Sequence, residues 1–176
     1  MMVGNGYGLV ITFKERNCLM RLDMKNLNLE DFAGQCESTG LHLSGHRLTE
    51  LKMILPVGTD FDGDSKVFIG MQRSGENIIT ISMKTDMVLD TIAVANPPRK
   101  IGYDIITNTI YMTVSHGFGK VDLESHDFTL LAGSTMSRSA SSGVPMCIDE
   151  IAFFEPSGFL RVGTYRWMVA DTRNHR

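Results

Sequence analysis

The sequence predicts an all-β fold of short antiparallel strands in repeating units, and three observations predict it. The chain repeats itself once near its middle. Arg21-Leu22-Asp23 is followed by Phe32-Ala33-Gly34, and Lys120-Val121-Asp122 by Leu131-Ala132-Gly133, so Asp23 and Asp122 stand 99 positions apart, as do Ala33 and Ala132. Pro56-Val57-Gly58 returns 100 positions on as Pro156-Ser157-Gly158. Second, the segments between these landmarks are short, apolar and rich in β-branched or aromatic residues, and no long amphipathic helix is visible. Third, the apolar runs begin at Leu9, Val67, Ile110 and Trp167, spaced by 58, 43 and 57 residues. The short spacing lacks an inserted loop. A unit of about 40–50 residues with four short strands is the pattern of a β-propeller blade.

Each set of strands follows from the same reasoning. Leu9–Phe13, Val67–Met71, Ile110–Val114 and Trp167–Ala170 are near-continuous apolar runs, as expected of strands buried on both faces. Cys18–Met24, Asn77–Lys84 and Gly119–Glu124 follow them and alternate more clearly; Val121 and Leu123 face one side, Asp122 and Glu124 the other. Leu29–Ala33, Val88–Val94 and Phe128–Ala132 come third. Val57–Phe61, Lys100–Asp104 and Gly158–Val162 precede the apolar runs. Asp62-Gly63-Asp64-Ser65 and Thr107-Asn108-Thr109 read as hairpin turns, with Gly163-Thr164-Tyr165-Arg166 in the same place later. Gln35–Lys52 and the Ser-rich Ser134–Glu150 read as long loops or short helices. Thirteen strands make a little over three blades. The expectation is therefore a single incomplete β-propeller over 1–176, built of four-stranded antiparallel sheets. Its blade-like units lie near 1–36, 52–95, 99–133 and 150–176, with connecting loops 35–52 and 134–150.

Composition narrows the function classes. The chain has 176 residues, 43% of them hydrophobic, with mean hydropathy −0.03, net charge −3 and pI near 5.9. No window approaches the ~18 apolar residues of a membrane span, and no basic-then-apolar secretory leader is visible in the chain. A net negative charge weighs against, without excluding, a phosphate-backbone partner, which normally needs a clustered basic face. Arg73, Arg99, Lys100 and Arg173 are too few to make one, so RNA is not expected as a partner. Twelve methionines suit adaptable packing between blades.

The chain also carries a family likeness. Trp167-Met168-Val169-Ala170-Asp171-Thr172-Arg173-Asn174-His175-Arg176 resembles the signature of NHL repeats, in which an apolar strand runs into an Ala-Asp-x-x-Asn-His turn. Ala152-Phe153-Phe154-Glu155-Pro156-Ser157-Gly158 is similar to the family's lead-in to a blade, and Leu130-Leu131-Ala132-Gly133 to its exit. The middle unit departs from the pattern: Gly70-Met71-Gln72-Arg73-Ser74 replaces the Ala-Asp turn, and its exit has no Ala-Gly. The third unit has Thr113-Val114-Ser115-His116-Gly117 instead. The resemblance implies a propeller, often six-bladed, of which this chain would form about half. Such a part-ring would expose an apolar face at each end and is expected to self-associate or aggregate.

Arg16-Asn17-Cys18-Leu19 with Phe32-Ala33-Gly34-Gln35-Cys36 is similar to a family variant with paired cysteines. A Cys18–Cys36 bridge would close an 18-residue separation and stabilise by about 3 kcal/mol in the chain-entropy model. Two reduced, buried thiols are the alternative. A bridge would place the parent protein outside the cytosol, extracellular or at the cell surface. Cys147 is left free or paired elsewhere.

Candidate binding residues are those on turns that a propeller gathers at one face near its axis: Arg73, His116, Asp171, Arg173 and His175. A shared metal site there competes with the simpler reading that Asp171 and His175 stabilise their own turn through side-chain hydrogen bonds. The simpler reading is adopted, and no metal ligand is assigned. The acidic stretch Asp60-Phe61-Asp62-Gly63-Asp64 fails the calcium-loop pattern, with Ser65 at the sixth position and Met71 at the twelfth. His42 and His46 are four apart, but Ser44-Gly45 disfavours a helix and no acidic partner follows. No Ser/His/Asp motif, P-loop or dinucleotide fingerprint appears, and Gly4-Asn5-Gly6-Tyr7-Gly8 precedes a strand rather than a helix. No catalytic residue and no cofactor are therefore assigned. The expected function is non-catalytic: an NHL-type recognition module binding a protein or glycan through loops on one face. The alternative is a metal-dependent propeller enzyme, amidating-lyase-like or lactonase-like, with its site near the ring axis. RNA binding, known among intracellular relatives, ranks third.

Overall fold

A computed structural model describes residues 2–3, 8–40, 45–72, 75–134, 151, 153–163 and 166–174. Among the described residues, fourteen strands form four antiparallel sheets. The first holds β1 (Met2–Val3), β2 (Gly8–Phe13), β3 (Cys18–Asp23) and β4 (Leu29–Ala33). The second holds β5 (Pro56–Phe61), β6 (Lys66–Met71), β7 (Glu76–Ser82) and β8 (Met87–Ala93). The third holds β9 (Lys100–Asp104), β10 (Thr109–Thr113), β11 (His116–Asp122) and β12 (Phe128–Ser134). The fourth holds β13 (Gly158–Gly163) and β14 (Arg166–Ala170). Within each sheet the strands lie in chain order, so every sheet is an antiparallel meander. This is the blade construction of a β-propeller, and the described residues make three four-stranded blades and a two-stranded one.

The blades stack through alternate side chains. Val67, Ile69 and Met71 of β6, with Ile79 and Ile81 of β7, pack toward the first sheet, where they meet Val10, Leu19 and Ala33. Phe68 and Ile78, one position out of phase, pack toward the third sheet with Ile101, Ile110 and Met112. The period of two in a strand sends successive side chains to opposite faces. Here both faces are covered, which is why these runs are continuously apolar. The third core joins Phe118 and Ala132 to Phe153, Phe159, Trp167 and Val169. Burying one such aliphatic or aromatic side chain stabilises by about 1.5–3 kcal/mol.

Expected and observed strands agree closely, with instructive differences. The short β1 has no counterpart among the expected thirteen; two residues carry no periodic signal. β11 begins at His116 rather than at Gly119, because the strand runs through Gly117 and Gly119 and shifts register between Phe118 and Gly119. A Cβ at Gly119 would lie 2.5 Å from the Phe128 ring and 2.6 Å from the Thr129 carbonyl oxygen, so the glycine marks close approach of two strands. The turn expected at Thr107-Asn108-Thr109 ends earlier, because Thr109 already pairs with Asp104 and Asp122. Among the described residues of the Gln35–Lys52 loop, Leu48–Glu50 form a 3-10 turn. Most of Ser134–Glu150 lies outside the described residues.

The repeated Ala-Gly has a concrete job. Ala33 and Ala132 pair with Leu19 and Phe118 at the ends of β4 and β12. The following Gly34 and Gly133 take φ of +87° and +86°. A Cβ on Gly133 would sit 2.4 Å from the His116 carbonyl oxygen. Only glycine fits the left-handed bend that carries the chain past the neighbouring turn. The second sheet, which lacks Ala-Gly, ends differently. Buried Asn77 donates to the Val94 carbonyl oxygen at 2.9 Å and accepts from the Val94 N–H at 3.0 Å, tying the strand exit to β7.

Cys18 and Cys36 form a disulfide, with Cα atoms 4.9 Å apart, that fastens the start of β3 to the segment beyond β4. Structural bridges of this kind form in oxidising compartments. No helix among the described residues is long and apolar enough to cross a membrane.

Candidate functional site

The loops entering the innermost strands hook onto the turns between second and third strands, and this builds one end of the molecule. The Leu55 N–H donates to the Asn17 side-chain oxygen at 2.8 Å, and Leu55 in turn accepts from the Gln72 N–H at 2.9 Å. A hundred positions later the arrangement returns. The Glu155 N–H donates to the Ser115 carbonyl oxygen at 3.0 Å, and the Phe154 carbonyl oxygen accepts from the Arg173 N–H at 3.2 Å. Leu55 and Glu155, each directly before a proline, both have positive φ, 48° and 53°. A residue before proline is normally held to extended backbone, so these hydrogen bonds hold an otherwise disfavoured bend.

That bend aims the Glu155 carboxylate between two arginines. Oε1 lies 3.2 Å from Arg99 Nη2, and Oε2 lies 2.7 Å from Arg173 Nε. Arg99 comes from the segment before β9, Glu155 from the segment before β13 and Arg173 from the turn after β14. The three therefore join the third and fourth sheets. The Phe154 ring lies beneath the Arg173 guanidinium, 5.6 Å from centroid to Cζ, and 5.9 Å from the His116 ring. A cation over an aromatic face is attracted by the ring quadrupole. Among the described residues, Arg99 Nε, Thr113 Oγ1, His116 Nδ1 and Glu76 Oε2 are buried side-chain atoms that find no hydrogen-bond partner. Buried polar atoms are normally satisfied; three of these four belong to the third sheet at this end, where the Arg99 N–H donates to the Thr113 carbonyl oxygen at 2.8 Å.

The candidate binding residues fall as follows. His116 and Arg173 are brought together around Phe154. Asp171 lies beneath them, buried, its Oδ1 accepting from the Phe154 N–H at 2.7 Å and its Oδ2 from the Asn174 side-chain amide at 2.7 Å. It works as a turn scaffold rather than as a group presented to solvent. Arg73 and His175 lie outside the described residues, as do His42 and Cys147. His46 is exposed, its carbonyl oxygen accepting from the Val88 N–H at 2.8 Å, away from this cluster. Among the described residues no group of three or more His, Cys, Asp or Glu side chains is gathered to hold a metal ion. Asp62 instead closes its own turn, its Oδ1 accepting from the N–H groups of Asp64, Ser65 and Lys66.

Glu155, Arg99 and Phe154 were not among the expected site residues. A signal was present in the repeated pre-proline position of Leu55 and Glu155. Nothing in the sequence pairs Arg99 with a residue 56 positions away.

Perturbed groups lie at the opposite end. Burial pushes the Asp104 carboxyl up, but the Thr107 hydroxyl, the Ile106 N–H and the Arg161 guanidinium outweigh it and leave it below its ordinary range. Burial, then the charges of Asp62 and Asp104, push the Tyr103 hydroxyl up. Backbone N–H groups of Ser125 and Glu124 hold Asp122 low. The Lys84 ammonium does the same for Asp64. These are turn and inter-blade contacts.

No protein-family model matches the chain, and no curated protein matches it. Its fold is similar to solved structures. Hydrazine synthase of Kuenenia stuttgartiensis aligns with TM-score 0.52 and 11% identity over 72% of this chain and 32% of that one. An auxiliary nutrient binding protein from Bacteroides thetaiotaomicron VPI-5482 aligns with TM-score 0.52 and 14% identity over 97% of this chain and 51% of that one. An auxiliary nutrient binding protein from Bacteroides ovatus ATCC 8483 aligns with TM-score 0.51 and 11% identity over 88% and 45%. The chain thus spans about a third to a half of the length of these structures. Identities this low establish likeness of fold alone.

Proposed function

We propose that this chain is a non-catalytic recognition module of the NHL-repeat propeller type, binding a protein or glycan through the loops of one face, in an extracellular or cell-surface parent. The observation that carries the reading is the Arg99–Glu155–Arg173 clamp with Phe154 and His116 beside it. It is a polar and aromatic surface on loops held by backbone hydrogen bonds, with charge of both signs brought together. Preorganised groups of this kind favour binding by lowering the ordering cost. The Cys18–Cys36 disulfide supports the compartment. The NHL assignment rests on the Ala170-Asp171 turn and its Asn174, whose side chain bonds Asp171.

The test is a combined glycan and peptide array probed with the wild-type chain and with a His116→Ala/Arg173→Ala variant. Arg173 is well exposed, so folding should survive, which circular dichroism verifies. Hits lost in the variant support the reading. Hits indifferent to both substitutions, or no hit above background, sink it.

A further inference from the structure

A cleft lies between the first and second sheets, apart from the clamp of the third and fourth. Its volume is about 570 Å³, within the range of small-molecule sites. Phe32, Leu48, Met83 and Met87 give it an apolar lining, and Arg21, Arg47, Asp31 and Asp86 bring charge of both signs to it.

The chain builds this cleft by crossing between the two blades. The Gly34 N–H donates to the Leu48 carbonyl oxygen at 2.9 Å, and the Leu48 N–H donates to the Asp86 carbonyl oxygen at 3.1 Å. The Leu48 side chain is buried, and Arg47 forms an antiparallel bridge with Met87. The 3-10 turn Leu48–Glu50 is thereby tied to the end of β4 on one side and to the β7–β8 turn on the other. Main-chain bonds between three segments hold the walls in place.

The charges in the cleft are unevenly matched. Arg21 has its partner: its Nε donates to Glu30 Oε1 at 2.7 Å. Arg47 and Asp86 do not. The bridge sets Arg47 opposite Met87, the next residue in the chain to Asp86. Yet among the described residues neither side chain has a hydrogen-bond or ion-pair partner, and the two do not reach the about 4 Å of an ion pair with each other. Asp31 Oδ1 lies 3.8 Å from the Cys36 sulfur, which as half of a disulfide has no hydrogen to donate. A ligand that carries both charges would match what the protein leaves unmatched.

We propose that this cleft binds a small apolar zwitterion, a dipeptide with aliphatic side chains. Its carboxylate pairs with Arg47, whose planar guanidinium suits bidentate contact. Its ammonium sits by Asp86 and Asp31, and its side chains lie against Phe32, Met83 and Met87. The termini of an extended dipeptide stand about 7 Å apart, so one ligand can serve both charges without bringing them together. Methionines adapt to side chains of different shape, so the site reads the two termini more strictly than the residues between them. A neutral sugar would leave both charges unmatched, and a polyanion would meet two carboxylates.

The test is calorimetric titration of the chain with Leu-Leu, with acetyl-Leu-Leu, which lacks the ammonium, and with Leu-Leu amide, which lacks the carboxylate. The expected result is saturable binding of Leu-Leu with Kd of about 1 mM or tighter, weakened at least about fivefold by either block. Arg47→Gln should bind Leu-Leu and its amide alike. Asp31→Asn/Asp86→Asn should bind Leu-Leu and its acetyl form alike. All three positions are exposed, and Asn accepts the positive φ of 54° at position 86, so melting temperatures should hold. Should a variant misfold, the blocked peptides on the unaltered chain decide alone. Three outcomes overturn the proposal: no saturable binding up to about 10 mM Leu-Leu, blocked peptides that bind as well as the free one, or displacement of Leu-Leu by an equal concentration of maltose.

Discussion

Arg161 of the fourth sheet reaches the Asp104 carboxylate of the third, Nη1 to Oδ2 at 2.5 Å, and fastens the two blades at the end opposite the loop face. Asp104 is nearly buried and also accepts from the Ile106 N–H at 3.1 Å and the Thr107 hydroxyl at 2.8 Å. Arg161 also lies 5.8 Å from the Trp167 ring centroid. Replacing Asp104 with Asn leaves the guanidinium without its charge partner, and we expect a loss of about 2–4 kcal/mol in urea unfolding.

The same pair sets an acid limit. The Asp104 carboxyl is lower in the folded chain than its ordinary value. Its stabilisation is therefore complete above the unfolded value near 3.9 and lost as pH falls through the folded one. Asp122 acts in the same direction. Unfolding free energy should decline below about pH 4. The decline should be shallower in Asp104→Asn, measured by urea titrations between pH 2.5 and 6. An equally steep decline would exclude Asp104 as a contributor.

Reduction of Cys18–Cys36, or a Cys18→Ser/Cys36→Ser variant, should cost about 3 kcal/mol in the chain-entropy model. Denaturation with and without reductant measures this. The reductant should have no further effect on the double-serine variant.

Gly133→Ala should destabilise by more than the about 1 kcal/mol expected from helix or strand propensity alone, because its Cβ would collide with the His116 carbonyl and the Phe153 ring. Gly75→Ala, with positive φ but no atom within 4 Å, should cost less. Comparing the two melting temperatures separates collision from backbone strain.

Added Zn²⁺ or Ca²⁺ should leave the melting temperature unchanged. A bound ion stabilises according to its affinity, so a shift of several degrees at sub-millimolar metal would favour the metal-enzyme alternative.

The blades were legible in the sequence because local signals specify them. Val67–Met71 and Ile110–Val114 announce themselves by β-branched content, Asp62-Gly63 by turn chemistry and Ala33-Gly34 by recurrence. β11 was expected to begin only at Gly119, because Thr113-Val114-Ser115-His116-Gly117 stands where the repeat carries its turn; the strand instead starts at His116, and Gly117 and Gly119 admit the β12 backbone and the Phe128 ring. The face holding Glu155, Arg99 and Arg173 was only half legible. Arg173 came from the repeat signature, but the contacts to Arg99 cross between sheets, and pairings at such distance leave no mark in one sequence. The third core around Trp167 was hidden for the same reason: Tyr111, Leu131 and Phe153 meet there only once the blades are stacked.

The alternation of β6 between two cores has an energetic consequence. Phe68 and Ile69 are joined by a peptide bond, yet they answer to different neighbours. Phe68 stacks on Tyr103 with ring centroids 4.6 Å apart, while Ile69 belongs with the residues of the first sheet. Truncating both should cost nearly the sum of the single losses, whereas Phe68 and Tyr103, 35 positions apart, should show marked coupling in a double-mutant cycle. Along these strands, covalent neighbours are thermodynamic strangers, and the partnerships that matter are arranged across the stack.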